Sequence, residues 1–322
     1  MKKYKKILWV VLALVTVGLL GIGYFFVSNQ APILTGNVIR NIEYKPGLLL
    51  DLYEPTKQVY DQTPVVLYIH GGAWITGIKE TLNFNRFNQA ANALRASGYA
   101  IVSINYTLAE SNRGPFPTCI QDAADAVFWL SQHAATYRFD LQNVGLFGES
   151  AGAHIAMMLA YSPPSFYAKD SLPIRFNYVV DVYGPNQLEG IYHAPIVDTL
   201  SSIRGKMPKH FQSYLNLEKY IFGFDPRQDL DKALQIMRTY SPYQYLGATA
   251  PPTLLIQGDA DRIVPLLQST SLQLKLDSLG VENELHILKG ADHAFINATP
   301  EQKAEVQQWI VAFIHKHYRG KK

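Results

Sequence analysis

The chain has 322 residues, of which 48% are hydrophobic and 17% are charged, a composition typical of a globular protein with a substantial core. Its net charge of +3 is more than accounted for by four lysines before residue 7, namely Lys2, Lys3, Lys5 and Lys6. The rest of the chain is slightly acidic, so no nucleic-acid partner is expected. Cys119 is the only cysteine, which excludes an internal disulfide and a metal site with several cysteine ligands.

An uncharged, apolar run, Ile7 to Val27, follows these lysines. As a helix rising about 1.5 Å per residue it would span about 30 Å, the thickness of a bilayer's hydrocarbon core. We expect a single-pass anchor in the cell membrane, with residues 1–6 in the cytoplasm and the remaining chain outside. The alternative is secretion after cleavage of a signal peptide. Against it, the run is long for a signal peptide, and Tyr24 to Ala31 offers no small-x-small cleavage site.

A short polar linker, residues 28–39, then leads to a globular domain over residues 40–322. Strand-like and helix-like segments alternate through this domain, which predicts an α/β fold with a mainly parallel central sheet and helices on both faces. Strands are predicted at Leu48–Tyr53, Val65–Ile69, Ala100–Ile104, Val144–Phe147, Tyr178–Val182, Thr253–Gln257 and Glu284–Leu288. Helices are predicted at Ala90–Ser97, Thr118–His133, Ala153–Ala160 and after the capping box Thr299–Gln302. The alternation breaks down between about 184 and 241, which predicts a small lid-like insertion.

The sharpest local signal is Gly148-Glu149-Ser150-Ala151-Gly152, which lies directly between a predicted strand and a predicted helix. Flanking glycines allow a sharp turn that exposes Ser150 on a strand-to-helix elbow. The start of the helix supplies free backbone N–H groups. In this context the pattern predicts that Ser150 is a nucleophile.

A serine nucleophile needs a base and an orienting carboxylate, which follow it in the order Asp, then His, in chains with this elbow. His293 follows the last predicted strand, and both Asp259 and Asp261 follow the strand before it. The carboxyl ends of parallel strands share one edge of a sheet, so these residues can meet Ser150. His154 lies four positions after Ser150, on the helix and away from the serine's attacking direction. Surface or packing roles are expected for the other late or helix-terminal histidines, His133, His286, His315 and His317.

Donors for an oxyanion are expected in His70-Gly71-Gly72-Ala73-Trp74, which follows the strand Val65–Ile69. A glycine-rich loop at this place can aim backbone N–H groups at a reacting carbonyl oxygen. We interpret His70 as a residue that braces this loop.

From about Arg40 to its end, the chain resembles the esterase and lipase branch of the α/β-hydrolase family, close to the hormone-sensitive-lipase and BD-FAE-like groups. The motifs H-G-G-x-W, G-x-S-A-G and G-D-x-D-x-x-V-P and a late histidine occur in the family's order. The resemblance implies the α/β-hydrolase fold, with Ser150 as nucleophile, Asp261 as orienting acid and His293 as base. It also implies that the N–H groups of Gly72, Ala73 and Ala151 hold the oxyanion, with Gly71 allowing the close approach of the loop. Trp74 and Glu149, next to these motif residues, are candidates for the substrate pocket. The segment Asn105–Glu110 departs from the family's N-Y-R-L-A-P-E by Thr107 and by the lack of a proline.

The expected function is that of a serine carboxylesterase that hydrolyses small-molecule esters through an acyl-enzyme, without a cofactor or a metal. Three alternatives stay open. An amidase, formamidase or peptidase would use the same triad. An acyltransferase would pass the acyl group to envelope sugars, and a non-catalytic binding module would have lost the chemistry.

Overall fold

The computed structural model describes residues 36–83, 86–167, 171–192 and 217–320. The predicted anchor at Ile7–Val27 and the cytoplasmic tail lie outside these ranges. Within them, no helix is both long and apolar enough to cross a membrane. The anchor therefore stays a prediction.

An eight-stranded sheet forms the centre of the molecule. Its strands are β1 (Val38–Lys45), β2 (Leu48–Tyr53), β3 (Thr63–Ile69), β4 (Ala100–Ile104), β5 (Phe139–Glu149), β6 (Val179–Val182), β7 (Thr253–Gly258) and β8 (Asn283–Leu288). They are ordered β1-β2-β4-β3-β5-β6-β7-β8. The β1–β2 and β2–β4 pairs are antiparallel, and every other pair is parallel. The expected mainly parallel sheet is confirmed.

The central strands are apolar because helices cover both of their faces. In β3 every residue is buried. Val65, Leu67 and Ile69 point into one core, while Val66 and Tyr68 point into the other. This period-two division places one hydrophobic core on each side of the sheet.

The α-helices of the described residues are α1 (Asn88–Ala96), α2 (Thr118–Gln132), α3 (Ala134–Tyr137), α4 (Ala151–Tyr161), α5 (Leu188–Tyr192), α6 (Leu217–Phe222), α7 (Leu230–Thr239), α8 (Leu267–Ser278) and α9 (Pro300–Lys316). Helices α2 and α4 pack in the first core, and α1 and α9 pack in the second. The predicted capping box is present at the start of α9, where the Thr299 side chain accepts from the backbone N–H of Gln302 and the Gln302 side chain accepts from that of Thr299.

The structure differs from the predicted elements at the edge of the sheet, in the insertion, and in helices α3 and α8, which were not predicted. Strand β1 was not predicted, and it begins at Val38, two residues before the expected domain start at Arg40. Its residues are half-buried or exposed, and Asn41 has a positive φ of 58°, so the strand has no clean apolar alternation. In the predicted insertion, the structure describes α5, α6 and α7, whereas residues 193–216 lie outside the described ranges. The lid-like role of this segment stays a prediction.

Candidate active site

Three strand ends bring the predicted triad residues together. Ser150 follows β5, Asp261 follows β7, and His293 follows β8. The Oγ of Ser150 lies 3.0 Å from the Nε2 of His293. The Nδ1 of His293 lies 2.8 Å from Oδ2 of Asp261. Both distances are within hydrogen-bonding range.

The turn at Ser150 has the strained backbone that its glycine neighbours predict. Ser150 has φ 51° and ψ −120° and immediately precedes α4. A Cβ at Gly148 would lie 2.4 Å from the backbone N of Ala153, and one at Gly152 would lie 2.1 Å from the carbonyl oxygen of Ile69. Only glycine fits at both positions, so the residue types themselves dictate this close strand-to-helix turn.

The carboxyl group of Asp261 is held from several sides. Its Oδ1 accepts from the backbone N–H groups of Ile263 and Val264, at 2.9 and 2.8 Å. Its Oδ2 accepts from Nε2 of Gln257 at 2.8 Å, in addition to its contact with His293. Because the carboxylate serves as an acceptor, Nδ1 of His293 carries the proton, and Nε2 is left to accept from the Ser150 hydroxyl.

The two aspartates that the sequence left as alternatives have different partners. Asp259 accepts from the backbone N–H of Gly290 at 2.6 Å and so ties the β7 end to the β8 end. A third carboxyl group, Asp292, was not predicted to matter. It accepts from the backbone N–H of His293 at 2.8 Å and from Nε of Arg262 at 2.7 Å. Burial opposes its ionisation, but the Arg262 guanidinium holds the pKa of Asp292 below its ordinary value.

Backbone donors lie where the glycine-rich loop was predicted. Gly72 and Ala73 have φ of 119° and 52°, and within the described ranges their N–H groups donate to no protein acceptor. Ala151 is the first residue of α4, and the first N–H groups of a helix have no intrahelical acceptor. All three backbones are therefore free to donate to a bound oxygen.

The predicted bracing role of His70 agrees with its surroundings. Its ring stacks on Tyr106 at 4.4 Å, and its Nδ1 lies 2.8 Å from the Gly71 carbonyl oxygen. Burial lowers the pKa of His70 to about 4, so the ring is neutral. Gly71 favours the close approach of the loop, because a Cβ there would lie only 3.0 Å from the carbonyl oxygen of Glu149.

A buried polar network surrounds Glu149, and no sequence pattern signalled it. Its Oε1 accepts from the hydroxyl of Tyr68 at 2.9 Å. Its Oε2 accepts from the hydroxyl of Tyr183 at 2.7 Å and from Nη2 of Arg86 at 2.9 Å. Burial opposes ionisation, but the Arg86 charge and the two hydroxyl groups hold the pKa of Glu149 below its ordinary value. The residue before Ser150 is thus an ionised carboxylate.

A cavity of about 640 Å³ opens at Ser150 and His293. Glu149, as predicted, lines it, together with apolar side chains of two loops, including Ile78 and Ile263. The structure does not bring the Trp74 side chain into this cavity.

Trp74 has a left-handed backbone, with φ 60°, and its side chain does not line the cavity at Ser150. Its indole ring packs edge-on against Phe116 and His154, and it lines a separate cavity of about 60 Å³. His154 is buried, and its Nε2 lies 2.6 Å from the Tyr240 carbonyl oxygen. It contributes to packing around α4, and its predicted place on the helix after Ser150 is confirmed.

Known proteins resemble this chain over most of its length. A family model described as BD-FAE matches residues 50–276. Esterase LipC of Mycobacterium tuberculosis is 23% identical over 281 residues, which cover 86% of this chain and 64% of LipC. The probable isoprenylcysteine alpha-carbonyl methylesterase ICMEL1 of Arabidopsis thaliana is 26% identical over 281 residues, with 86% and 54% coverage. The chain thus spans between about half and two thirds of the length of these relatives.

Solved structures share the fold. A truncated carbohydrate esterase from gut microbiota superposes with a TM-score of 0.67 at 20% identity, over 89% of this chain and 99% of that one. Esterase B from Lactobacillus rhamnosis gives 0.65 at 21% identity, over 98% of both chains. The predicted α/β-hydrolase fold is confirmed. Because the BD-FAE model matches more than two thirds of the 322 residues, the chain belongs to the BD-FAE family of α/β-hydrolases.

Proposed function

We propose that the chain hydrolyses carboxylic esters, with Ser150 as nucleophile, His293 as general base and Asp261 as the residue that orients it. One observation carries the proposal, which is the continuous hydrogen-bond path from Ser150 Oγ through His293 to Asp261, at 3.0 and 2.8 Å. The path ends at a cavity large enough for a small ester. The esterase names of the relatives agree with this proposal.

In the acylation step, Ser150 Oγ attacks the ester carbonyl carbon while His293 Nε2 takes the hydroxyl proton. The carbonyl oxygen becomes an oxyanion, for which the N–H groups of Gly72, Ala73 and Ala151 serve as donors. The ester C–O bond then breaks, His293 returns its proton to the leaving alkoxide, and an alcohol departs. Asp261 stabilises the imidazolium that exists between the two transfers.

In the deacylation step, water attacks the acyl-serine carbonyl and again gives a proton to His293. The new oxyanion uses the same backbone donors. When the bond to Ser150 breaks, His293 protonates the serine oxygen and a carboxylic acid leaves. Each step needs only groups of the chain, the ester and water.

Replacement of the nucleophile tests the function. Ser150→Ala should lower kcat for p-nitrophenyl acetate by about 10⁴-fold or more, because the attacking oxygen is removed. Ser162→Ala, at the other end of α4, is the matched control and should keep wild-type activity. A fluorophosphonate probe should label the wild type and the control but not Ser150→Ala. A Ser150→Ala variant that hydrolyses p-nitrophenyl acetate at the wild-type rate would refute Ser150 as the nucleophile. A wild-type protein that cleaves anilides faster than esters would favour the amidase alternative.

We also propose that Ile7–Val27 anchors the chain in the membrane, with the cavity directed away from the bilayer. The described chain begins beside the amino ends of the parallel strands, since Val38 pairs with Tyr53, which in turn pairs with Ile101 near the start of β4. Ser150 lies at the opposite, carboxyl edge, roughly 15 Å further along the strands. A bilayer adjoining residue 36 would thus face the edge without the cavity. An ester would then enter from the aqueous side.

Cell fractionation tests the anchor. The full-length chain should stay in the membrane fraction after an alkaline carbonate wash, and a variant lacking residues 7–27 should not. Recovery of active chain in the medium with a shortened N-terminus would support signal-peptide cleavage instead.

A further inference from the structure

Tyr183 occupies the place where three strands end, directly after β6. Its backbone N–H donates to the carbonyl oxygen of Ile256 in β7 at 2.8 Å. On the other side, the N–H of Ser150 donates to the carbonyl oxygen of Val182 at 2.9 Å. Tyr183 has a φ of 46°, a left-handed conformation that is strained for a bulky residue. Such strain persists where the surroundings fix a side chain in a required place.

The Tyr183 ring lies between Glu149 and His293. Its hydroxyl donates to Oε2 of Glu149 at 2.7 Å. Its ring centroid lies 4.8 Å from that of His293, with the planes inclined by 59°. Phe295 meets the ring edge-on at 4.9 Å. The side chain is thus held at its tip by a carboxylate and along its ring by packing.

The His293 imidazole needs a packed neighbour such as the Tyr183 ring, because the loop that carries His293 is irregular. Ala294, Phe295 and Asn297 all have positive φ, between 58° and 67°, so the segment is irregular. The hydrogen bonds at Nδ1 and Nε2 lie in the plane of the imidazole. They do not prevent the ring from rotating about the line that joins its two partners, Asp261 and Ser150. A packed aromatic ring against the imidazole opposes that rotation.

Glu149 links the Tyr183 ring to the nucleophile, because it is the residue before Ser150 and its carboxylate is itself held in place. Tyr68 donates to its Oε1, and Arg86 forms an ion pair with its Oε2 at 2.9 Å. Burial and the nearby Glu149 charge raise the pKa of Tyr183 well above its ordinary value, so the hydroxyl remains a donor at any working pH. The base and the nucleophile are therefore both tied to one buried carboxylate.

We propose that Tyr183 is a positioning residue for the reaction, which holds the His293 imidazole in line with Ser150, and that Glu149 anchors it. The inference rests on the proposed esterase function. It assigns Tyr183 no contact with the ester carbon and no proton transfer. Its effect is on the geometry of the base, where a displacement of about 1 Å can cost about 100-fold in rate.

Steady-state kinetics with p-nitrophenyl acetate test the proposal on the full-length chain. Tyr183→Phe keeps the ring but frees its tip, and it should lower kcat by about tenfold with KM changed by less than about twofold. Tyr183→Leu removes the aromatic ring beside His293 and should lower kcat by about 100-fold. The rate of labelling by a fluorophosphonate, which also needs an aligned His293, should fall in parallel with kcat.

Two other tyrosines separate positioning from a general loss of a buried hydroxyl group. Tyr161→Phe removes a hydroxyl that lies 2.7 Å from Thr253 Oγ1, far from the triad, and should leave kcat unchanged. Tyr68→Phe removes the other hydroxyl donor to Glu149 but touches no triad residue, so its loss of kcat should be several-fold smaller than that of Tyr183→Phe.

Each outcome decides the proposal. Equal kcat values for Tyr183→Phe and the wild type, or equal losses for Tyr183→Phe and Tyr68→Phe, would overturn it while leaving the esterase function intact. An inactive, folded wild type would instead remove the function on which it rests. Should Tyr183→Phe not fold, as judged by its thermal transition, Phe295→Leu loosens the other aromatic contact of the same ring, and an unchanged kcat there would overturn the proposal.

Discussion

Asp181 provides a test of the buried electrostatics that is independent of catalysis. It lies in β6 with 1% of its surface exposed. Its Oδ1 accepts from the backbone N–H of Gly184 at 2.7 Å, and its Oδ2 has no hydrogen-bond partner among the described residues. Burial raises the pKa of Asp181 from its ordinary 3.8 to about 7, although the Gly184 bond favours the charged form. We predict that Asp181→Asn changes how the stability of the protein depends on pH.

The sign follows from proton linkage. Between pH 4 and pH 7 the folded protein holds a proton on Asp181 that the unfolded chain has released, so stability falls as pH rises through this window. With the two pKa values above, Asp181 contributes about 3 kcal/mol at pH 5 and nearly nothing at pH 8. His70 and His154, each with a pKa lowered to about 4 by burial, contribute in the opposite direction. Only the difference between variant and wild type therefore isolates Asp181.

Equilibrium urea unfolding of both proteins, followed by circular dichroism from pH 5 to pH 8, measures this difference. Asparagine keeps the acceptor for Gly184 but adds an amide group without an acceptor, which costs about 1–3 kcal/mol at every pH. That offset cancels when the two pH values are compared. Relative to the wild type, the free energy of unfolding of Asp181→Asn should rise by about 3 kcal/mol between pH 5 and pH 8. Parallel curves for the two proteins would show that Asp181 is ionised in the folded state and refute the reasoning.

Two further predictions concern the residue that supports Asp261 and the loop that supplies the oxyanion donors. Gln257→Leu removes the side-chain donor to Asp261, so kcat for p-nitrophenyl acetate should fall by about tenfold. The same change leaves the Val264 carbonyl oxygen and the Ser269 hydroxyl without their Gln257 partner, so the thermal midpoint should fall as well; an unchanged kcat in the folded variant would contradict the supporting role. Gly72→Ala places a Cβ 2.1 Å from the Thr76 carbonyl oxygen at a φ of 119°, so the loop must move and kcat should fall by about 100-fold or more with little change in KM. Gly280→Ala, also at positive φ but in open space, is the control for backbone strain alone and should keep wild-type kcat.

Much of the sheet and the order of the triad could be predicted from the sequence, because both depend on local patterns. Apolar runs between turn residues marked seven of the eight strands, and the oxyanion loop and the three triad residues each come soon after the end of one of them. Strand β1 was missed because a half-exposed edge strand carries no continuous apolar face. The direction of Trp74 was missed for another reason. Ala73 and Trp74 both adopt positive φ, and residue types that rarely enter this region give no warning that the chain reverses there.

Buried carboxyl groups show most clearly what the sequence could not supply. Glu149 and Asp181 both lie within the sheet and are almost fully covered, so burial alone would make each of them neutral. Glu149 receives two tyrosine hydroxyl groups and the Arg86 guanidinium, which keep its pKa low. Asp181 receives one backbone N–H and keeps a raised pKa. These donors come from strands and loops far apart in sequence, and only the fold aims them at one group. The Arg86 charge and the hydroxyl donors directed at Glu149 therefore decide that, of these two buried acids, the one beside Ser150 carries the negative charge.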